Sequence, residues 1–246
     1  MPLRSRLSWQ IANCKYTQLY LLHLLQAFFA NMKSLQDDYS PLGHSDWLYA
    51  EKQSIEDFTA LDWKSIDLQR QKYIAQVKTE HLLRLLKVSA DDASFGYRVN
   101  MYRHALQSAT MALRDGLSHE DVVVALFHDV GYITSYSNHG EFASVLLGPH
   151  ISERNHWMLR NHAVFQNFHA HHFAGIDRHE REIWRGHPYF DWTAEFVKLY
   201  DQATCDPDYP CEPIETFIPL IESLLGSVAS PAPMDSGHAV QGQREG

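Results

Sequence analysis

Six residues have the side chains and the spacing for metal chemistry: His104, the adjacent pair His128 and Asp129, His139, His162 and Asp201. A neutral imidazole next to a carboxylate, where a chain leaves a buried segment, can bind one cation and leave the Asp free to bridge to a second. A lone His-Asp pair at a helix end is more often a hydrogen-bonded polar terminus than a ligand pair, so the other four residues decide the reading. The chain has 16 His in 246 residues, and 12 of them fall between His104 and His187. Histidine is the commonest metal ligand and titrates near neutral pH, so the chemistry is expected in that stretch.

To converge, these residues must be carried by elements that face one another, and the apolar spacing is helical through most of the chain. Ile66, Tyr73, Ile74, Val77, Leu82, Leu85 and Leu86 recur about three or four apart and predict an amphipathic helix over 62–87. A second helix is expected over 97–114, stopped before Gly116, with His104 among the small residues Ala105, Ser108, Ala109 and Ala112 that let a neighbour approach closely. Ser118 is placed to cap a buried helix over 120–128, which ends in His128-Asp129 and is closed by Gly131. Asn138 followed by Glu141 reads as a capping box opening a helix to Leu147, with His139 in its first turn and Gly148-Pro149 after it. Ser152 opens a helix to about His169 with His162 in its middle, Asp191 opens one to about Thr204 that carries Asp201, and Pro213 opens the last, to Leu225. No run of alternating strands and no internal repeat is present. The expected class is all-α, a helical bundle with a central dimetal site fed by inward residues from facing helices.

Composition narrows the partners. Hydrophobic residues make up 45% and charged residues 21%, which excludes collagenous, coiled-coil and wholly disordered chains. The net charge of -9 argues against a broad nucleic-acid surface. Three cysteines, Cys14, Cys205 and Cys211, have no zinc-like spacing and no disulfide framework, which fits a reducing, cytoplasmic setting. The first 36 residues hold four basic residues and no acidic one. Residues 1–45 therefore read as an N-terminal extension, with an organelle-targeting segment, an extra helix docked on the core, and a true start at Met32 all left open. The apolar run Leu19 to Ala30 is too short to span a bilayer. Residues 226–246, rich in Gly, Ser, Pro and Ala, read as a disordered tail.

Over residues 60–225 the chain resembles the HD-domain superfamily, and within it the HD-domain mixed-valent diiron oxygenases that include the myo-inositol-cleaving and phosphonate-cleaving enzymes. The resemblance lies in Tyr-Arg-His-Ala-Leu-Gln-Ser-Ala-Thr (102–110), Ala-Leu-Phe-His-Asp-Val-Gly (125–131), Asn-His-Gly-Glu-Phe-Ala (138–143), Arg-Asn-His (160–162) and Leu-Tyr-Asp-Gln-Ala (199–203). It implies that His104, His128 and Asp201 hold one iron, that His139 and His162 hold the other, and that Asp129 bridges them. Where phosphoryl-handling relatives carry basic residues this chain has Tyr132 and Gln166, and Ser94 and Tyr97 stand where the phosphonate enzyme has a Tyr and a Glu.

The implied function is oxidation of a small hydroxy or amino compound with O2 as cosubstrate, and the alternative is a metal-dependent phosphohydrolase acting on a phosphate ester or nucleotide. A binding module with a vestigial site is disfavoured by the full set of ligand types. Tyr132 and Gln166 are expected at the substrate. Arg160 is the cation that a helix turn could bring over the site, and His187 lies on a Gly/Pro loop of the kind that lines sites. His169, His171 and His172 read as a polar helix end. Trp157, Trp184, Trp192 and Tyr200 read as core, and Glu180 with Arg181 as a solvated face.

Overall fold

Local signals set most helix boundaries, and the exceptions bear on the site. The structure, a computed structural model, describes residues 47–226. The expectations for residues 1–45 and for the tail beyond Gly226 lie outside the described residues. Seven α-helices and no strand occur among the described residues, so the protein is all-α. No helix among them is long and apolar enough to cross a membrane.

Two compact units divide between Lys72 and Tyr73. In the first, Thr59 opens α1 (Ala60–Val88): its Oγ1 accepts the Asp62 N–H at 3.3 Å while its own N–H donates to the Asp62 carboxylate at 2.8 Å. Phe58 packs on Trp63, and the Gln69 side chain pairs with both backbone groups of Leu48.

The second unit contains the core and all six candidate ligands. The last turns of α1 contribute Leu82 and Leu86 to it, whereas Ile74 and Leu85 are exposed, a narrower buried stripe than the spacing suggested. Helix α2 (Met101–Arg114) starts later than expected, because Asn100 Oδ1 accepts the Arg103 N–H at 3.0 Å and so becomes the cap. It stops at Gly116, whose φ of +74° lets its N–H reach Leu113 O and the Leu117 N–H reach Ala112 O, each at 3.1 Å. Ser118 caps α3 (His119–Phe127), in which every residue from Val122 to Phe127 is fully buried. At about 1.5–3 kcal/mol for each large apolar side chain, this helix is the principal anchor of the fold.

Helices α2 and α7 (Ile218–Gly226) pack on α3, and the buried Ala105, Ala109 and Ala112 form the close face of α2. Helix α7 takes in Gly226, and a separate 3-10 turn, Ile214–Thr216, precedes it. Helix α5 (Glu153–Gln166) is capped by Ser152 and ends before His169, so that histidine lies in the turn beyond. Its Asn155 is bonded to Glu120 and Asp121 of α3 and accepts the Trp192 indole N–H at 2.9 Å, which ties α3 and α5 to α6 (Phe190–Phe196).

The expected capping box at Asn138 is not formed. Asn138 makes no side-chain cap to α4 (His139–Leu147), and Glu141 is instead ion-paired with Arg160 across to α5. Two burial readings also need correction: Trp184, expected in the core, is 37% exposed, and Arg181, expected on a solvated face, is buried.

Helices α4 and α5 approach so closely that residue 140 must be glycine. A Cβ there would lie 2.4 Å from the Leu159 carbonyl oxygen and 3.2 Å from the His162 ring. A backbone carbonyl inside α5 has no rotamer with which to yield. Gly140→Ala is therefore expected to destabilise the protein by about 1–3 kcal/mol, read from urea denaturation, and to weaken metal retention by separating His139 from His162. Unchanged stability would refute the steric role.

Candidate metal centre

The six candidate ligands predicted from sequence converge at one place. His104 lies on the small-residue face of α2, His128 and Asp129 leave the end of α3, His139 begins α4 and His162 projects from α5. Asp201 comes from a π turn, Val197–Asp201, that continues α6, where the Gln202 N–H bonds to Val197 O at 3.0 Å. The helix expected from Asp191 to Thr204 is thus interrupted. The wider turn changes the direction of Asp201 by a large part of the roughly 100° that separates successive α-helical residues.

Each imidazole is oriented by its Nδ1. His128 Nδ1 faces Ala125 O at 2.8 Å, His139 Nδ1 faces Tyr136 O at 2.7 Å and His162 Nδ1 faces Leu159 O at 2.7 Å. A carbonyl only accepts, so Nδ1 carries the proton and Nε2 turns its lone pair inward. His104 reaches the same state through Thr204, whose hydroxyl donates to Asp201 O and accepts from His104 Nδ1 at 2.6 Å. Sequence reasoning missed Thr204, and nothing in its type or spacing distinguishes it.

The inward atoms form two groups that share Asp129. Its Oδ2 lies 3.3 Å from His104 Nε2 and 3.6 Å from His128 Nε2, and its Oδ1 lies 3.3 Å from His139 Nε2 and 3.1 Å from His162 Nε2. Asp201 Oδ1 completes the first group, 3.9 Å from His104 Nε2 and 3.8 Å from His128 Nε2. The Nε2 atoms of His104 and His128 are 3.0 Å apart, and those of His139 and His162 are 3.1 Å apart. Two inward lone pairs at that distance repel unless a positive charge lies between them.

One more atom asks for a cation. Asp201 Oδ2 is buried without a hydrogen-bond partner among the described residues, while Oδ1 accepts the Gln166 amide at 2.8 Å. A buried carboxylate oxygen left unpaired is costly, and a metal ion would satisfy it. The buried His/Asp cluster could hold a metal ion. Imidazole and carboxylate donors suit Mn, Fe, Co or Zn.

The proton balance follows from burial and charge. Burial favours neutral His128, but Asp129 and then Asp201 outweigh it and lift the imidazole to about 9. Burial likewise opposes ionisation of Asp129, yet the charge of His128, and then the His104 and His162 imidazoles set against its oxygens, hold its carboxyl well below the usual range. His139 is lowered, with burial the main cause.

A cleft of about 260 Å³ opens onto His104, Asp129 and Asp201. Tyr132 and Gln166 line it, as expected, although Gln166 also positions Asp201. Tyr97, His169 and Cys205 line it as well. His171 and His172 stay exposed, with their rings tilted and their centroids 4.0 Å apart. Two expectations fail. Arg160 is half-exposed and held by Glu141, not turned over the site. His187 stacks on Trp157 at 4.1 Å and lines a separate cavity with His156 and Tyr189.

Without metal, the His128 proton occupies the place of a cation. Its folded value lies above the free value, so this contribution to stability is complete below about pH 6.5 and is lost as pH rises through about 9. Metal binding at about pH 7.5 should then expel about one proton from His128, measurable as a dependence of calorimetric enthalpy on buffer ionisation heat. Equal enthalpies in phosphate and Tris would contradict it. Compared with family models and with curated proteins, the chain matches none of either.

Proposed function

We propose that this protein is an HD-domain-like diiron oxygenase that oxidises a small hydroxy or amino compound with O2. The observation that carries the reading is the placement of Asp129, with one carboxylate oxygen directed at His104 and His128 and the other at His139 and His162. That is the arrangement a bridging carboxylate needs. His104, His128 and Asp201 would hold one iron and His139 and His162 the other. A bound iron pair would supply O2 binding and the redox equivalents for attack on a C–H bond.

The protein's own residues would bind and orient the substrate. Burial, reinforced by Tyr136, raises the Tyr132 phenol, so it stays protonated and acts as a hydrogen-bond donor. Tyr97 and Met101 narrow the cleft, and Gln166 keeps Asp201 directed at the first metal position. No Lys or Arg is among the described residues lining the cleft. A phosphate ester at the metals would call for charge-assisted donors, so the lining favours an uncharged reacting group over phosphoester hydrolysis.

Metal stoichiometry tests the bridge. Asp129→Ala should reduce bound metal from about two equivalents to near zero, whereas His162→Ala should retain about one, because a bridge serves two ions and His162 serves one. Full occupancy in Asp129→Ala would remove the bridging role. Chemistry is tested by measuring O2 uptake with small hydroxy and amino compounds beside phosphate release from phosphomonoesters and nucleotides, on iron-loaded protein. Efficient phosphate release without O2 uptake would overturn the oxygenase reading and install the hydrolase.

A further inference from the structure

Beyond the metal cleft, two guanidinium groups rest on one phenyl ring. Arg181 lies 3.7 Å from the centroid of Phe168 and Arg178 lies 4.5 Å from it. Each contact is attractive but leaves the positive charge in place. Arg181 is 9% exposed, and the Nε atoms of both residues are buried with no hydrogen-bond partner among the described residues.

One neighbouring carboxylate, Glu182, is shared between Arg181 and Arg185, and the others are engaged elsewhere. Glu182 is 3.6 Å from Arg181 Nε, but its two oxygens hold Arg185 at 2.7 and 2.8 Å. Glu180 accepts the Asn167 amide at 3.0 Å, and Asp177 accepts the His179 N–H at 2.8 Å. Arg178 has no ion pair among the described residues. Two like charges beside one ring, with a single carboxylate shared between Arg181 and Arg185, are costly, and an oxyanion held by the guanidiniums would relieve that cost.

The pair lies beside the cleft. Phe168 precedes His169, which lines the cleft, and their rings are 5.3 Å apart. His169 is lowered by its own burial and then by the charges of Arg181, Arg178 and Lys198, against the opposing pull of Asp201.

We infer that Arg178 and Arg181, seated on Phe168 next to His169, form an oxyanion-binding site flanking the metal cleft, for a carboxylate or phosphate-type group. The site does not depend on the metals being iron or on O2 chemistry. Its ligand is either a free anion or the anionic end of a molecule whose other end occupies the cleft.

The test is calorimetric titration of the full-length protein with inorganic phosphate. One-site binding is expected, weakened at least about tenfold in Arg178→Gln, whose partly exposed side chain can be replaced without opening the core. Arg181→Lys keeps the charge but loses the fork and should show an intermediate loss; thermal melts establish that both variants fold. Asp129→Ala removes phosphate bound by metals and should leave this binding intact. Binding that survives Arg178→Gln, that vanishes in Asp129→Ala, or that is undetectable in the parent protein overturns the site. Titration with glycerol 3-phosphate separates the sources: affinity at least about tenfold above inorganic phosphate, lost again in Arg178→Gln, assigns the anion to one end of the cleft's occupant. Equal affinities assign it to a free ion.

Discussion

Four imidazoles are turned inward by hydrogen bonds on their outward faces, and the rest of the centre depends on this. A histidine whose Nδ1–H is given to a carbonyl three residues earlier has both its tautomer and its ring plane fixed by the helix that carries it. Three of the four rings are therefore placed by backbone geometry, and the fourth, His104, is placed by the Thr204 hydroxyl. The same rigidity would make the cluster electrostatically unfavourable without a positive charge. Inward lone pairs 3.0 and 3.1 Å apart, together with two buried carboxylates, demand positive charge, and in its absence one proton must be retained at His128.

Packing serves this demand at some cost to ordinary stability. The apolar α3 anchors the unit so that its last turn can deliver His128 and Asp129 to one point, and Gly140 gives up helix propensity so that α4 can lie against α5. The loop after Asp201 is fastened to α2: Arg103 donates to Tyr209 O at 2.6 Å, and Thr110 Oγ1 accepts the Glu212 N–H at 3.0 Å. These bonds keep Thr204 beside His104. A bundle stabilised by apolar burial alone would leave the register of α6 free; here it is set by polar contacts converging on Asp201 and Asn155.

Residue type and spacing made the converging His/Asp cluster legible, because histidines and aspartates in the first turn, the middle or the exit of successive helices stand out from an apolar core. Ser118, Ser152 and Gly116 also marked their helix ends correctly, since each acts through its own backbone neighbourhood. What was not legible is what tertiary contact decides. The Asn138 and Glu141 pattern fails because Arg160 on α5 captures Glu141. The π turn at Val197–Asp201 has no signature in a 3.6-residue pattern, and Thr204 matters only because a residue a hundred positions away lies against it. Arg181 read as surface because its charge suggests water, whereas three aromatic rings bury its guanidinium.

The division between an uncharged cleft and a cationic flank has an electrostatic reason. A lysine or arginine head 4 Å from a divalent ion would oppose it by about 8 kcal/mol at an effective dielectric near 20, enough to weaken metal retention by several orders of magnitude. Tyr132 and Gln166 supply hydrogen bonds beside Asp129 and Asp201 without that penalty. Cations that recognise an anionic group must then stand farther out, where the repulsion falls with distance and solvent screens it further. Aromatic seats are a suitable way to hold them there, because a ring face attracts a guanidinium without neutralising it, as a paired carboxylate would. Phe168 seats Arg178 and Arg181 in that manner, with Glu182 shared between Arg181 and Arg185, so a charge held there would stay available to a ligand without opposing a cation at the His/Asp cluster.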